Sequence, residues 1–74
     1  MSVLDEVSQE LEYARFKHPE PYHSGHEGCA IIREEFEELW DEVKKDMPLD
    51  RQRAEAIQVA ATAIRYVQDL CDGG

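Results

Sequence analysis

The sequence predicts an all-α fold, a short helix plus an antiparallel helical hairpin that is completed into a helical bundle by oligomerisation. Three observations predict it. Apolar residues recur at three- and four-residue intervals in three separate stretches, and no stretch alternates as a strand would. The helix-breaking segments, 17–25 and 47–50, fall between those stretches. At 74 residues the chain forms one domain, 1–74, too small to enclose a large core alone, so copies are expected to share one.

The first helix is expected over about 3–16. Ser2 is placed to cap it, with Asp5 at the reciprocal capping-box position, and Leu4, Val7, Leu11 and Ala14 form one stripe. It stops at KHPEPYHSG, where Pro19 and Pro21 hold the backbone extended. Ser24 and Glu27 form an S-x-x-E start signal for the second helix, about 25–46. There Cys29, Ile32, Phe36, Leu39, Trp40 and Val43 share one arc of the helical wheel. MPLD, with Asp50 as the expected cap, makes a connection short enough to force an antiparallel hairpin.

The third helix, about 51–70, is apolar or small over most of its circumference: Ile57, Ala60, Ala61, Ile64, Val67 and Cys71 form one face, widened by Ala56, Val59, Ala63, Tyr66 and Leu70. Opposite runs a polar line, Glu55, Gln58, Thr62, Arg65 and Asp69. A helix this apolar is buried on more than one side, so a second chain is expected against it. The terminal DGG reads as a helix stop and frayed tail.

Lys and Arg total 8 against 17 Asp and Glu, a net charge of −9. That balance repels phosphate backbones and anionic lipid heads, which argues against a nucleic-acid polymer or a membrane as partner. A nucleotide remains accessible if a divalent cation bridges carboxylates to phosphates. No membrane-length apolar run and no signal-peptide pattern is visible, and Cys29 and Cys71 match no metal or redox spacing. A cytoplasmic protein with two buried thiols is the expectation.

Chemistry concentrates in the acidic stretch EEFEELWDE, residues 34–42. Glu35, Glu38 and Glu42 share the flank beside the apolar arc, whereas Glu34 and Asp41 point further towards solvent. Like charges at i and i+3 repel, and in a crease between helices that cost grows unless a hard cation such as Mg²⁺ offsets it. Glu55 and Gln58 supply a second i, i+3 pair that an antiparallel hairpin can bring to the same place. An acidic run is also the ordinary composition of a solvated helix face, and spacing alone leaves both readings open.

Glu34-Glu35-x-x-Glu38-Leu39, followed after fifteen residues by Glu55-x-x-Gln58-Val59, resembles the MazG-like nucleotide pyrophosphohydrolases, an all-α superfamily with an E-x-x-E…E-x-x-D metal-binding signature on two adjacent helices. HEGCAIIREEFEELWDEVKK with EAIQVAATAIRYVQDL is similar to small members often carried by phages, over about residues 23–70. The resemblance implies homodimers or homotetramers that bind Mg²⁺ or Mn²⁺ and cleave nucleoside triphosphates to monophosphate and pyrophosphate. It implies Glu35, Glu38 and Glu55 as metal ligands, with Gln58 where the family carries Asp. Gln58 retains an oxygen donor but lacks the charge, which bears on catalysis more than on fold. Glu34 or Glu38 would orient or deprotonate the attacking water.

Arg65 and Lys17 are candidate phosphate contacts, and Arg65 is equally placed for an i, i+4 salt bridge to Asp69. His18, His23 and His26 flank the first loop; zinc lacks a fourth ligand there, and substrate contact, with His26 foremost, competes with plain solvated or capping roles. Trp40 and Tyr66 are expected in the core or a subunit interface. Three functions follow: a metal-dependent nucleotide pyrophosphohydrolase, a catalytically weak or inactive nucleotide-binding protein of the same fold that senses or sequesters its ligand, or a helical oligomerisation module.

Overall fold

The computed structural model describes residues 1–73; the last residue of the expected DGG tail lies outside them. Among the described residues there are helices and no strand. Helix α1 spans Val3–Lys17, α2 Gly25–Lys44 and α3 Leu49–Tyr66, which continues into a π-helical segment, Val67–Asp72. Both α1 and α2 pack on α3.

Local signals account for the helix starts. The Ser2 hydroxyl accepts from the Asp5 N–H while the Asp5 carboxylate accepts from the Ser2 N–H, a complete capping box. At α2 the box is half made: Ser24 Oγ accepts from the Glu27 N–H, but the Glu27 carboxylate turns to His23 Nδ1 at 3.1 Å. The expected cap of α3 is corrected. Pro48 is the capping residue, with no side-chain hydrogen bond, and Asp50 lies in the first turn. Proline's fixed φ suits a helix entry, so the helix begins two residues earlier than at Arg51.

Helix α2 ends at Lys44 rather than Asp46. Asp46 has φ 53°, its N–H bonds to Val43 O, and the Met47 N–H bonds to Glu42 O. This is a Schellman closure with an aspartate in the left-handed position that glycine usually takes. Gln52 Nε2 donates to Met47 O at 3.0 Å and ties the turn to α3.

The hairpin is antiparallel, and its register shows in the side chains that meet across it. Near the turn Arg51 Nη2 bonds Glu42 Oε1 at 2.9 Å, further out Glu38 meets Glu55, and at the far end Gly28 lies against Tyr66. A Cβ on Gly28 would come within 2.5 Å of Tyr66 Cδ2, so the close approach of the two helices requires glycine there.

Burial departs from expectation. Val7, Tyr22 and Ala61 are the buried apolar residues among those described, joined by the charged Arg65. Phe36, Trp40 and Val43 of the expected core arc are exposed in this single chain, as are Leu4, Ile64 and Val67. Cys29 and Cys71 are exposed free thiols, not buried ones. The polar line of the third helix shares the inward place with Ala61: Glu55, Gln58, Thr62 and Asp69 are partly buried and Arg65 fully so. No helix among the described residues is long and apolar enough to cross a membrane.

Candidate functional site

The α2–α3 register brings three carboxylates together. One oxygen from each of Glu35, Glu38 and Glu55 lies within 4.8 Å of the others. Glu35 and Glu55 are partly buried and Glu38 is exposed, so the group sits at the lip of the inter-helix crease. Glu35 and Glu38 are one helical turn apart on α2, and the antiparallel pairing sets Glu55 across from them.

Proximity changes their proton affinity. Burial, then the charge and hydrogen bond of Glu38, then the charges of Glu55 and Glu34, push the Glu35 carboxyl from an ordinary 4.5 up to about 7. The Glu55 carboxyl is also raised, first by burial, then by Glu38 and Glu42, against a weaker opposing pull from Arg51. Glu35 Oε2 is buried without a hydrogen-bond partner among the described residues, and so is Glu42 Oε2, although Glu42 binds Arg51 through its other oxygen. Glu42 therefore belongs to the hairpin's ion pairing, and the three-carboxylate group consists of Glu35, Glu38 and Glu55.

Glu35 also faces a cavity of about 560 Å³ between α1, the 18–24 loop and the hairpin. Gln58, one turn beyond Glu55, lines it with Glu34 and Thr62. Lys17 reaches the same space from α1, its Nζ lying 5.4 Å from the centre of the Tyr13 ring. His18 and His23 line the cavity from the loop. His26 does not; it borders a separate, shallower depression with Cys29 and Tyr66. The first turn of α2 carries the His26 side chain to another side of the helix from Glu27 and Ile31, which do line the cavity.

Arg65 takes the ion-pair arrangement. Its Nε bonds Asp69 Oδ2 at 3.3 Å, and Nη2 donates to His18 O at 2.5 Å and Glu20 O at 2.7 Å. Its guanidinium lies 5.1 Å from the Tyr22 ring centre. Asp69 receives two further hydrogen bonds, from Arg15 Nη2 at 2.9 Å and from the Tyr22 N–H at 3.1 Å. Burial raises the Asp69 carboxyl, but the Arg15 and Tyr22 hydrogen bonds, the Arg15 charge and Arg65 outweigh it and hold it below its ordinary value. This cluster pins the loop that walls the cavity. Asp69 and Arg65 were visible on one polar line; Arg15 carried no signal, because its link to Asp69 spans 54 residues.

No protein-family model, curated protein or solved structure matches this chain.

Proposed function

We propose that the chain is a metal-dependent nucleoside triphosphate pyrophosphohydrolase of MazG-like type, releasing nucleoside monophosphate and pyrophosphate. One observation carries the reading: Glu35, Glu38 and Glu55 crowd together from two helices, and the inner oxygen of Glu35 is buried and unpaired beside a cavity of nucleotide size. Carboxylates held this way repel one another, and the all-oxygen donor set fits Mg²⁺ or Mn²⁺.

In this reading Glu35, Glu38 and Glu55 hold the cation, with Gln58 as a neutral oxygen donor on the cavity side. The cation, when bound, offsets the negative charge of the triphosphate. Glu34, on the cavity wall, or the exposed Glu38 accepts the proton of the attacking water. Lys17 supplies positive charge at the mouth. Arg65 acts by holding the loop carbonyls of His18 and Glu20 rather than by meeting phosphate.

The same reading makes the protein a homo-oligomer. Its accessible surface of 5340 Å² exceeds the about 4,700 Å² expected of a compact monomer of 8.6 kDa. Phe36, Trp40, Ile64 and Val67 are the side chains a second copy would cover.

Gln58 favours a second reading, in which the pocket holds a nucleotide without turning it over. Incubation with Mg²⁺ or Mn²⁺ and a nucleoside triphosphate panel, read as pyrophosphate release, tests both. Release by the wild type supports the hydrolase. Binding without release, with turnover appearing in Gln58→Asp, supports the holding protein. No release and no cation-dependent stabilisation at millimolar metal rejects both and leaves the helical oligomerisation module.

A further inference from the structure

A triphosphate brings more negative charge than one divalent cation removes. At the Glu35, Glu38 and Glu55 group three carboxylates already outweigh such an ion, so phosphates held there need a further positive charge. Of the two residues expected to supply it, Arg65 is closed off by Asp69 and by the carbonyls of His18 and Glu20, and Lys17 lines the cavity on the Glu35 side. Arg15 is tied to Asp69 as well, Arg53 to Glu6 and Arg33 to Glu37.

Arg51 is placed differently. It stands on α3 one turn before Glu55, about 6 Å along the helix, and its Nη2 crosses the hairpin to Glu42 Oε1 at 2.9 Å. The pair is uneven: the Glu42 side chain is 16% exposed and that of Arg51 56%. Glu42 is thus an anchor set into the crease, and the guanidinium reaches out over the lip. Among the described residues the guanidinium makes that one hydrogen bond, which leaves most of its N–H donors free. Its charge is felt at the carboxylate group: burial, Glu38 and Glu42 raise the Glu55 carboxyl, and Arg51 pulls against them.

Order along the crease assigns the ends of a nucleotide. Glu35 belongs both to the cavity lining and to the carboxylate group; Glu38 and Glu55 follow outside the cavity, and Arg51 with Glu42 lies beyond them, towards the hairpin turn. A nucleotide with its nucleoside in the cavity and its α-phosphate at the carboxylate group runs its β- and γ-phosphates towards Arg51.

We propose that Arg51, anchored by Glu42, binds the β- and γ-phosphates, so that the site takes nucleotides with a pyrophosphate end and also holds free pyrophosphate. The inference rests on the reading of the site as a pyrophosphohydrolase and adds the residue that recognises the leaving group. In that reaction the water oxygen bonds to the α-phosphorus, and the bond from that phosphorus to the α,β-bridging oxygen breaks. Its electron pair leaves with pyrophosphate, and the water proton passes to Glu34 or Glu38. Negative charge grows on the leaving group, where a guanidinium fork offers paired donors to phosphate oxygens.

Calorimetric titration of the full chain tests the inference apart from the reading beneath it. Mg²⁺ alone reports the carboxylate group, and inorganic pyrophosphate pre-mixed with excess Mg²⁺ reports the phosphate end. Arg51→Gln is expected to weaken pyrophosphate binding about tenfold or more. Mg²⁺ alone should bind this variant at least as tightly as wild type, since a repelling charge has gone. Arg51→Lys, which keeps the charge without the fork, is expected to fall between. Pyrophosphate affinity unchanged in Arg51→Gln, with Mg²⁺ still bound, overturns the inference and leaves the cation site standing. So does pyrophosphate that wild type fails to bind at millimolar concentration while it binds Mg²⁺. A larger loss in Lys17→Gln than in Arg51→Gln puts the phosphates in the cavity and overturns it too. Mg²⁺ bound by neither wild type nor variant overturns the cation site and the inference together. If Arg51→Gln loses its helical circular dichroism, Arg51→Lys decides, and an affinity equal to wild type overturns the inference.

Discussion

Glu38 on α2 and Glu55 on α3, seventeen residues apart in sequence, bring carboxylate oxygens within 4.8 Å of each other across the hairpin. Glu35 completes the group from one turn away. Two like charges on facing helices oppose the packing that unites them, and that conflict has a measurable sign.

Stability should fall as pH rises when no divalent cation is present. The Glu35 carboxyl is raised to about 7 and that of Glu55 is also raised, so the folded chain binds protons more tightly than the unfolded chain above the ordinary value of 4.5. Protonation at these sites therefore favours the fold, and the benefit is lost between pH 4.5 and about 7. Thermal melts in EDTA should give a higher Tm at pH 5.5 than at pH 8. With the proposed cation site, added Mg²⁺ should raise the Tm at pH 8 as its concentration rises, because a ligand of the native state shifts unfolding by mass action.

Removing the charges should mimic the proton. Glu35→Gln with Glu38→Gln is expected to raise the metal-free Tm at pH 8 by several degrees, flatten its pH dependence, and abolish the response to Mg²⁺. Scanning calorimetry with and without metal reads all three. An unchanged Mg²⁺ response in this variant would place any cation elsewhere.

Gly28→Ala should destabilise the hairpin. The new methyl would start 2.5 Å from Tyr66 Cδ2 and 3.2 Å from Tyr22 Cδ2, so both rings must shift. Overpacking of this kind costs about 1–3 kcal/mol, and each kcal/mol lowers Tm by roughly 4–8 °C in a domain this size. Pairing it with Tyr66→Leu, which shortens the obstructing side chain, should recover part of the loss.

The Asp69 cluster should fail in acid. Its carboxyl is held below the ordinary 3.8, so its contribution is full above that value and declines as pH falls through the lowered one. Asp69→Asn should remove that contribution at neutral pH, at a cost of about 3 kcal/mol for Arg65 left without its buried counter-charge. Amide exchange at Tyr22, whose N–H donates to Asp69, should accelerate in the variant.

Much of this architecture is legible in residues close together in sequence. Ser2–Asp5 and Ser24–Glu27 mark helix starts because their partners lie three residues away, within reach of one turn. The short connection after α2 dictates an antiparallel hairpin, and with it the meeting of Glu35 and Glu38 with Glu55. The boundaries were less legible. Asp46 adopts a left-handed conformation without being glycine, and α3 opens at a proline rather than at the aspartate that looks like its cap.

The sequence by itself determined three helices, their order, and which side chains share each helical face, since all three follow from periodicity and local hydrogen bonds. Only the tertiary structure decided which face turns inward. On α3 and the π-helical segment after it, the inward place is shared by Ala61 and the polar Gln58, Thr62, Arg65 and Asp69, and Ile64 and Val67 are left outside. The reason is long-range pairing: Arg15 from α1 satisfies Asp69 and the carbonyls of His18 and Glu20 satisfy Arg65, and nothing near those two in the chain announces them.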